Sequence, residues 1–387
     1  MDLNIWKNKK VLVTGARAPV ALEWCRALRK SGYLVYCADS LRMNLARFSN
    51  SVLKSFFLPE PSTSPTEYIE TINLICRNHN IDLILPTCEE VFYLAWGKKN
   101  IHSKTEVLTN DIGLLKNIHS KYQFSHLVKD FDIRCPETRH IRYPEELHAY
   151  TDSSRNYVFK PEYSRFATET LIQPSKEQLD LIEISSIKPW VAQIYAEGVE
   201  YATHGFAKNG DLIFNSVYKP LYPFGKGSGT YFSPVSKPQI YRFVKDFCRT
   251  YNIHGQIGFD FIEEHSGKIF VIEANPRATS GIHLNTPLKT DKLSDNDHIK
   301  PSSRPLMIAP ATIISQFIFQ FKNVTSPKFW KDFFSAKDVV FSWRDLMPSI
   351  AQYLCLFEIL CRALLRRQKP TSAATTDIEW NGESIES

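Results

Sequence analysis

The sequence predicts a chain of mixed α/β class in three consecutive regions, and three observations carry that reading. A β-α-β pattern opens the chain, a hairpin of apolar strands bearing oxygen-donor side chains lies past its middle, and a long apolar helical run stands near its end. At 387 residues the chain exceeds what one hydrophobic core usually serves, so two or three domains are expected. A hydrophobic fraction of 43% and a charged fraction of 23% are ordinary for a globular protein. The net charge of +6 is small for this length and its lysines and arginines are dispersed, so nucleic-acid binding is not indicated.

Lys10-Val-Leu-Val-Thr-Gly-Ala16 reads as a first strand, a helical stretch runs to Arg29, and Tyr33-Leu-Val-Tyr-Cys-Ala-Asp39 reads as a second strand closed by an acid. This unit invites a dinucleotide-binding reading. Gly15, however, is followed by Ala-Arg-Ala-Pro-Val-Ala, without the later glycines that let a pyrophosphate lie against the helix. An NAD(P) oxidoreductase is therefore disfavoured. Ile81-Asp-Leu-Ile-Leu-Pro86 reads as the last parallel strand of this region, and Thr87-Cys-Glu-Glu90 as a capped helix start whose Glu89 and Glu90 complement the helix N-terminus or, as the lesser alternative, face the substrate cleft. The N-terminal α/β domain is expected to span residues 1–115.

The densest chemistry lies between Gly258 and Arg277. Phe259, Phe261 and Ile269 to Ile272 are β-branched or aromatic, and His265-Ser266-Gly267 between them is a turn signal, so two antiparallel strands are expected. Side chains alternate along a strand, which turns Asp260 away from Phe259 and Phe261 and places Glu273 and Asn275 on one shared face. A carboxylate on each strand with an amide beside them can converge on one hard cation. Mg²⁺, or Mn²⁺, accepts a few protein oxygens and takes the rest from water and nucleotide phosphates. Pro276 stops the strand, and Arg277 sets a planar cationic fork just beyond it.

At Glu273-Ala-Asn-Pro-Arg277 following Phe259-Asp-Phe261, the chain resembles the ATP-grasp superfamily, in particular its carbamoyl-phosphate-synthase-like and biotin-carboxylase-like members. The resemblance covers roughly residues 10 to 285 and implies ATP and Mg²⁺ as cofactors, with Asp260, Glu273 and Asn275 as metal ligands and Arg277 on the γ-phosphate or a phosphorylated substrate. It implies a Rossmann-like domain preceding a two-lobed ATP-grasp body of α+β type over residues 116–300, its lobes at about 116–190 and 191–300, with ATP between them. Lys160, at the end of Tyr157-Val-Phe-Lys-Pro161, looks like the family's second ATP lysine and shares the catalytic assignment with Arg277. Lys121 resembles the first. The segment Glu162 to Thr168 stands where the family has its phosphate-covering loop, but is poor in glycine and offers Ser164, Arg165 and Thr168 instead.

Trp190 to Tyr201 reads as a strand, a turn at Glu197-Gly198 and a second strand through Thr203, resembling the family's interlobe hinge. By that resemblance Gln193 and Tyr195 flank adenine and Glu200 accepts hydrogen bonds from ribose; Ile194 stands where relatives often have glutamate. In the glycine- and aromatic-rich run from Asn215 to Tyr231, Lys219 and Lys226 are candidate anion contacts. Past Arg277, Ser280 and His283 are candidates for the acceptor-substrate site by the same resemblance.

The polar stretch Asn285 to Ser303 is expected to be a long surface loop, and residues 301–387 a mainly helical region with a polar tail in which Asp377-Ile-Glu-Trp380 is too apolar to be mere tail. Ile350 to Leu365 reads as an amphipathic helix packed on the core, too short to span a bilayer; a membrane-surface role with Arg362, Arg366, Arg367 and Lys369 is the lesser alternative. The eight cysteines form no C-x-x-C pair and read as reduced, and the N-terminal residues lack the apolar core of a secretion signal, so a cytoplasmic location is expected. The implied activity is ligation: ATP phosphorylates a carboxylate to an acyl phosphate, which an amine or thiol attacks, releasing ADP and phosphate. Small-molecule carboxylate and amine substrates are the implied partners, and relatives are often homodimers. Phosphorylation of a small carboxylate or carbamate in the carbamoyl-phosphate-synthase manner is one alternative; a catalytically silent ATP-binding regulator or scaffold is another.

Overall fold

The computed structural model describes residues 9–164, 169–225, 229–285 and 303–385. From the N-terminus, β1 (Lys10–Thr14), α1 (Pro19–Lys30), β2 (Leu34–Asp39), β3 (Lys54–Phe57), α2 (Pro65–His79), β4 (Leu83–Leu85), α3 (Val91–Gly97) and β5 (Glu106–Val107) form an α/β layer. Its five strands pair in parallel in the order β3-β2-β1-β4-β5. Leu12, Val13, Leu83, Ile84 and Leu85 are buried, as central parallel strands covered by helices on both faces must be. The strand at 81–86 is not the last of the sheet, as expected from sequence: β5 adds beyond it, and two residues offer no periodicity to read.

The next segment holds α4 (Ile112–His119), α5 (Lys121–Leu127), β6 (Thr138–Ile141), β7 (Tyr157–Pro161), β8 (Leu171–Ile172), α6 (Lys176–Leu179) and β9 (Trp190–Ile194). Its strands form an antiparallel sheet of order β6-β9-β7-β8. The chain then crosses to a second sheet through β10 (Gly198–Lys208), β11 (Asp211–Pro223), β12 (Gly229–Pro234), α7 (Pro238–Thr250), β13 (Gly255–Glu264) and β14 (Ile269–Asn275). The expected strand, turn and strand around Glu197-Gly198 are present, and the two strands lie in different sheets. Glycine is required at the crossing, because a Cβ on Gly198 would stand 2.1 Å from the Glu263 carbonyl oxygen. In α7, Ile240, Phe243, Val244, Phe247 and Cys248 recur at helical spacing and are buried against Phe259 and Phe261. Burial of each large side chain in this stripe contributes about 1.5–3 kcal/mol, which holds α7 under the sheet that carries the acids.

The C-terminal region continues with β15 (Leu306–Met307), α8 (Ala309–Phe319), α9 (Phe321–Val324), α10 (Pro327–Ser335), β16 (Lys337–Asp338), α11 (Met347–Arg366) and α12 (Pro370–Ala373). It is mainly helical, as expected, and also extends the second sheet to seven strands in the order β14-β13-β10-β11-β12-β15-β16. Trp380 returns to the N-terminal layer, where it is 1% exposed and stacks on Phe92 at 4.8 Å. The expectation for α11 is corrected. It is 20 residues long, long and apolar enough to cross a membrane by length and composition, and only 22% of its most apolar window is buried. Cys25, Cys37, Cys76, Cys248 and Cys355 are buried thiols, and all eight cysteines are free.

Candidate active site

The hairpin turn at residues 265–267 brings β13 and β14 into a register that sets Asp260 directly opposite Glu273. Two carboxylates thus stand side by side. Asn275 donates from Nδ2 to Asp260 Oδ2 at 3.1 Å, and Arg277 donates from Nη2 to Asn275 Oδ1 at 3.0 Å. Burial, together with the neighbouring Glu273 charge, pushes the Asp260 carboxyl up from its ordinary range. Burial would raise Glu273 too, but the Lys121 and Lys160 charges outweigh it and hold that carboxyl down. The acid pair is therefore short of positive charge on its Asp260 side. Glu200 joins this face of the sheet and pushes Asp260 further up.

Both predicted lysines face the acids, Lys121 from a helix whose Phe124 packs in the core of the acid-bearing sheet and Lys160 from the four-stranded sheet. Ser120 caps α5 by accepting from the Gln123 amide, which orients the first residue of that helix, Lys121, inward. Its ammonium lies 3.8 Å from Glu273 Oε2 and donates to Ser164 Oγ and Ser164 O, each at 3.1 Å. Burial lowers its pKa to about 8, opposed by Glu273. Lys160, near the end of β7, is 4% exposed, and burial lowers it as well. Two desolvated ammoniums facing one carboxylate form a site that favours a polyanion, since added negative charge stabilises both in their charged form.

Several assignments change in the folded chain. Gln193 does not present its side chain to a base: it is buried in the first sheet, accepting from Lys160 Nζ at 3.1 Å and donating to Thr138 Oγ1 at 2.9 Å. It positions the lysine. Lys219 lies on the opposite face of the sheet from Asp260, with its ammonium 5.3 Å from the Tyr201 ring centre, and Tyr201 belongs to the core under α7. Strand alternation is the reason, because the adjacent Tyr218 takes the acid side. His283 is 1% exposed, pairs with Glu23 at 2.9 Å and stacks on Phe232, the environment of a packed histidine. Tyr195 and Ser280 are half-buried, and Glu200 is exposed. Arg165, Thr168 and Lys226 lie outside the described residues.

Two further neighbours of the acids and Arg277 are placed by the fold: Glu89, which sequence offered only as a lesser cleft candidate, and Tyr218, which it did not single out. Glu90 does complement the start of α3, accepting from Thr14 Oγ1 at 2.7 Å and from the Thr87 and Cys88 amides. Glu89 does not. It is 1% exposed and pairs with Arg277 Nε at 3.5 Å, so the N-terminal layer reaches the Arg277 end of the site. Tyr218 is buried beside Asp260, Thr279 and Arg277, and burial raises its hydroxyl well above the ordinary range. No local motif marks either residue; both are brought in from separate strands and loops.

The N-terminal layer also explains the absence of a dinucleotide signature. At the end of β1, a Cβ on Gly15 would stand 2.7 Å from Thr87 Oγ1 and 3.0 Å from Glu90 Oε1. Asp39, where a ribose-binding acid would be sought, instead holds Arg17 at 2.6 Å, and Arg17 in turn holds Asp377 at 2.6 Å. The Asp39 carboxylate is thus engaged by the chain's own Arg17.

A family model described as an ATP-grasp domain matches residues 118–281, a span that includes both lysines, the hairpin acids and Arg277. An uncharacterized protein of Methanocaldococcus jannaschii is 24% identical over 289 residues, covering 70% of this chain and 68% of that protein. The fold is similar to that of L-amino acid ligase from Bacillus licheniformis, with a TM-score of 0.59 at 12% identity over 77% of this chain and 80% of that one. It is also similar to the biotin carboxylase domain dimer of Hydrogenobacter thermophilus 2-oxoglutarate carboxylase, in complex with MgADP, ADP and bicarbonate, with a TM-score of 0.57 at 12% identity over 76% of this chain and 71% of that one. Matched span and fold agree: residues 118–281 match an ATP-grasp domain, and the chain shares its fold with ligase and carboxylase structures.

Proposed function

We propose that the chain is an ATP-dependent ligase that activates a carboxylate as its acyl phosphate and joins it to an amine or thiol, releasing ADP and phosphate. The observation that carries this reading is the meeting of Lys121 with Glu273 at 3.8 Å, beside the Asp260 and Asn275 oxygens. The acid pair suits a divalent ion, because a cation beside Asp260 would offset both the burial and the neighbouring Glu273 charge that raise its pKa. Asp260, Glu273 and the Asn275 amide oxygen would hold Mg²⁺, which supplies charge neutralisation on phosphate oxygens. Mn²⁺ fits the same donors.

Lys121 and Lys160 would bind the phosphates, with Ser164 held against Lys121 at the entrance. Tyr195 and Glu200, beside the interlobe crossing, would take the adenosine. Arg277 would orient the γ-phosphoryl group and the acceptor carboxylate, its own direction set by Glu89 and Asn275. Attack by a carboxylate oxygen on the γ-phosphorus breaks the bond to the β-bridging oxygen and frees ADP. The nucleophile then attacks the acyl carbon, loses its proton and expels phosphate. We read residues 1–115 as the supporting domain, 116–300 as the ATP-grasp body and 301–387 as an appended region.

The test compares the parent chain with a Glu273→Gln/Asn275→Ala variant for thermal stabilisation by Mg²⁺ and a non-hydrolysable ATP analogue. Binding at about a hundredfold excess over Kd stabilises by about 2.7 kcal/mol, and the variant is expected to lose the Mg²⁺-dependent part. ADP release is then measured against a panel of carboxylates and amines. Nucleotide binding with no carboxylate-stimulated ADP release would favour a silent ATP-binding protein; no Mg²⁺-dependent stabilisation of the parent would overturn the site itself.

A further inference from the structure

The helix α11 is amphipathic in the reverse sense from a core helix. The side docked on the N-terminal layer is small or polar: Pro348, Ala351, Cys355 and Ala363 are buried, and Glu358 and Arg362 make the specific contacts. Glu358 accepts from the Arg42 and Met43 amides, and Arg362 pairs with Glu60 and Asp377. The opposite side carries Ile350, Tyr353, Phe357, Leu360, Leu364 and Leu365, which are 40% to 84% exposed. Leu354 and Leu356 flank them at 45% and 43% exposure, so at 3.6 residues per turn the apolar arc covers about 180° of the helix.

Charge around the arc has one sign. Trp343 is 82% exposed and is followed by the exposed Arg344 at the N-terminal end; Arg366, Arg367 and Lys369 are exposed at the other end. The two acids between residues 341 and 369 are turned inward: Asp345 is 6% exposed and accepts from Arg26, Ser49 and the Asn50 amide, and Glu358 is engaged as above. A half-cylinder of apolar side chains with an aromatic and cations at its ends matches a planar, anionic, apolar medium.

We propose that α11 lies parallel to an anionic lipid bilayer, its outward arc sunk to the headgroup boundary and its ends held by Arg344, Arg367 and Lys369. A second copy fits less well. Helix pairing uses a narrower seam flanked by charged positions, and here Leu354 and Leu356 occupy the flanks. A bilayer span would require Glu358 and Arg362 to leave their partners and enter hydrocarbon. The assignment also gives the chain a place of action, with the ATP-grasp body held beside a membrane surface.

The test sediments the full chain with vesicles of phosphatidylcholine containing about 30% phosphatidylserine, and with phosphatidylcholine alone. The parent is expected to bind the anionic vesicles. A Phe357→Glu/Leu364→Glu variant, altered only on the exposed arc and unchanged in melting temperature, should lose binding by at least about tenfold, and a rise in salt to about 0.5 M should weaken the parent. An Arg367→Glu/Lys369→Glu variant should lose the preference for anionic vesicles. Equal sedimentation of parent and Phe357→Glu/Leu364→Glu, or no binding to either vesicle, overturns the proposal. So do two other results: a lipid-free dimer that the Phe357→Glu/Leu364→Glu variant dissociates, which assigns the arc to a second copy, and vesicle association that resists alkaline carbonate, which assigns a span.

Discussion

Replacing Asp377 by asparagine removes one charge from a buried network and leaves its volume unchanged. Asp377 is 1% exposed and accepts from Arg17 at 2.6 and 2.7 Å, from Ser40 Oγ at 2.7 Å and from Arg362 at 3.3 Å. Removing one partner of a buried pair costs about 3–5 kcal/mol when the remaining charge is left uncompensated. Arg17 keeps Asp39 at 2.6 Å, which places Asp377→Asn near the lower end, at about 3 kcal/mol. The loss should appear as local opening of the tail segment around Asp377, whose remaining anchors are Trp380 stacked on Phe92 and the Glu379 carbonyl that accepts from Tyr93 Oη. Hydrogen exchange reads it directly: the Ser62 amide donates to the Asp377 carbonyl and the Ile378 amide to Thr375 O, and both should exchange about a hundredfold faster in the variant. Burial alone would raise the Asp377 carboxyl, but Arg17 outweighs it and holds the group below the usual carboxylate range. A lowered carboxylate stabilises fully above its unfolded value of about 3.9 and loses that contribution as pH falls through the folded value. Parent and variant should therefore differ most near neutrality and converge in acid. Unchanged exchange at Ser62 and Ile378 at pH 7 would refute the claim that this network holds the tail.

Lys160→Met keeps the length of the side chain but removes the ammonium from the lobe junction; turnover should fall by about two to three orders of magnitude, and the nucleotide-induced thermal shift should shrink. Steady-state ADP release with an active carboxylate checks the first and calorimetric binding the second; an unaffected variant would remove Lys160 from the phosphate site. His204 is fully buried, and burial, aided by His283, lowers its pKa to about 3. Because the unfolded chain binds this proton below about pH 6.5 and the folded chain does not, stability should fall by up to about 1.4 kcal/mol per pH unit below that point. His204→Asn should flatten that part of the profile, and parallel denaturation profiles from pH 5 to 7 would contradict the assignment.

What could be read without coordinates was whatever local pattern encodes. The hairpin, its turn and the convergence of Asp260, Glu273 and Asn275 follow from strand alternation and a turn signal within one short stretch of chain, whereas Lys121 was found only through its resemblance to a family position. The missing glycines after Gly15 argued from sequence against a dinucleotide site there. Sequence also marked residues 377–380 as more than tail, though not what they would touch.

Tertiary structure decided everything that depends on which distant segments face each other. The one-residue difference between Tyr218 and Lys219 settles which of them stands beside Asp260, and only the strand register reveals it. Glu89 and Glu90 are neighbours in sequence, yet one serves a helix start and the other Arg277, because the segment leaving β4 turns one carboxylate toward its own backbone and the other toward the body. The periodicity of α11 marks an apolar face, but a helix has two sides and the pattern does not say which one the protein covers. Asp345, Glu358 and Arg362 found partners on the N-terminal layer, whose satisfaction outweighs covering leucines, and the apolar arc was left outside. Local sequence therefore determined the elements and the chemical groups they carry, while long-range pairing of buried charges determined which of those groups meet.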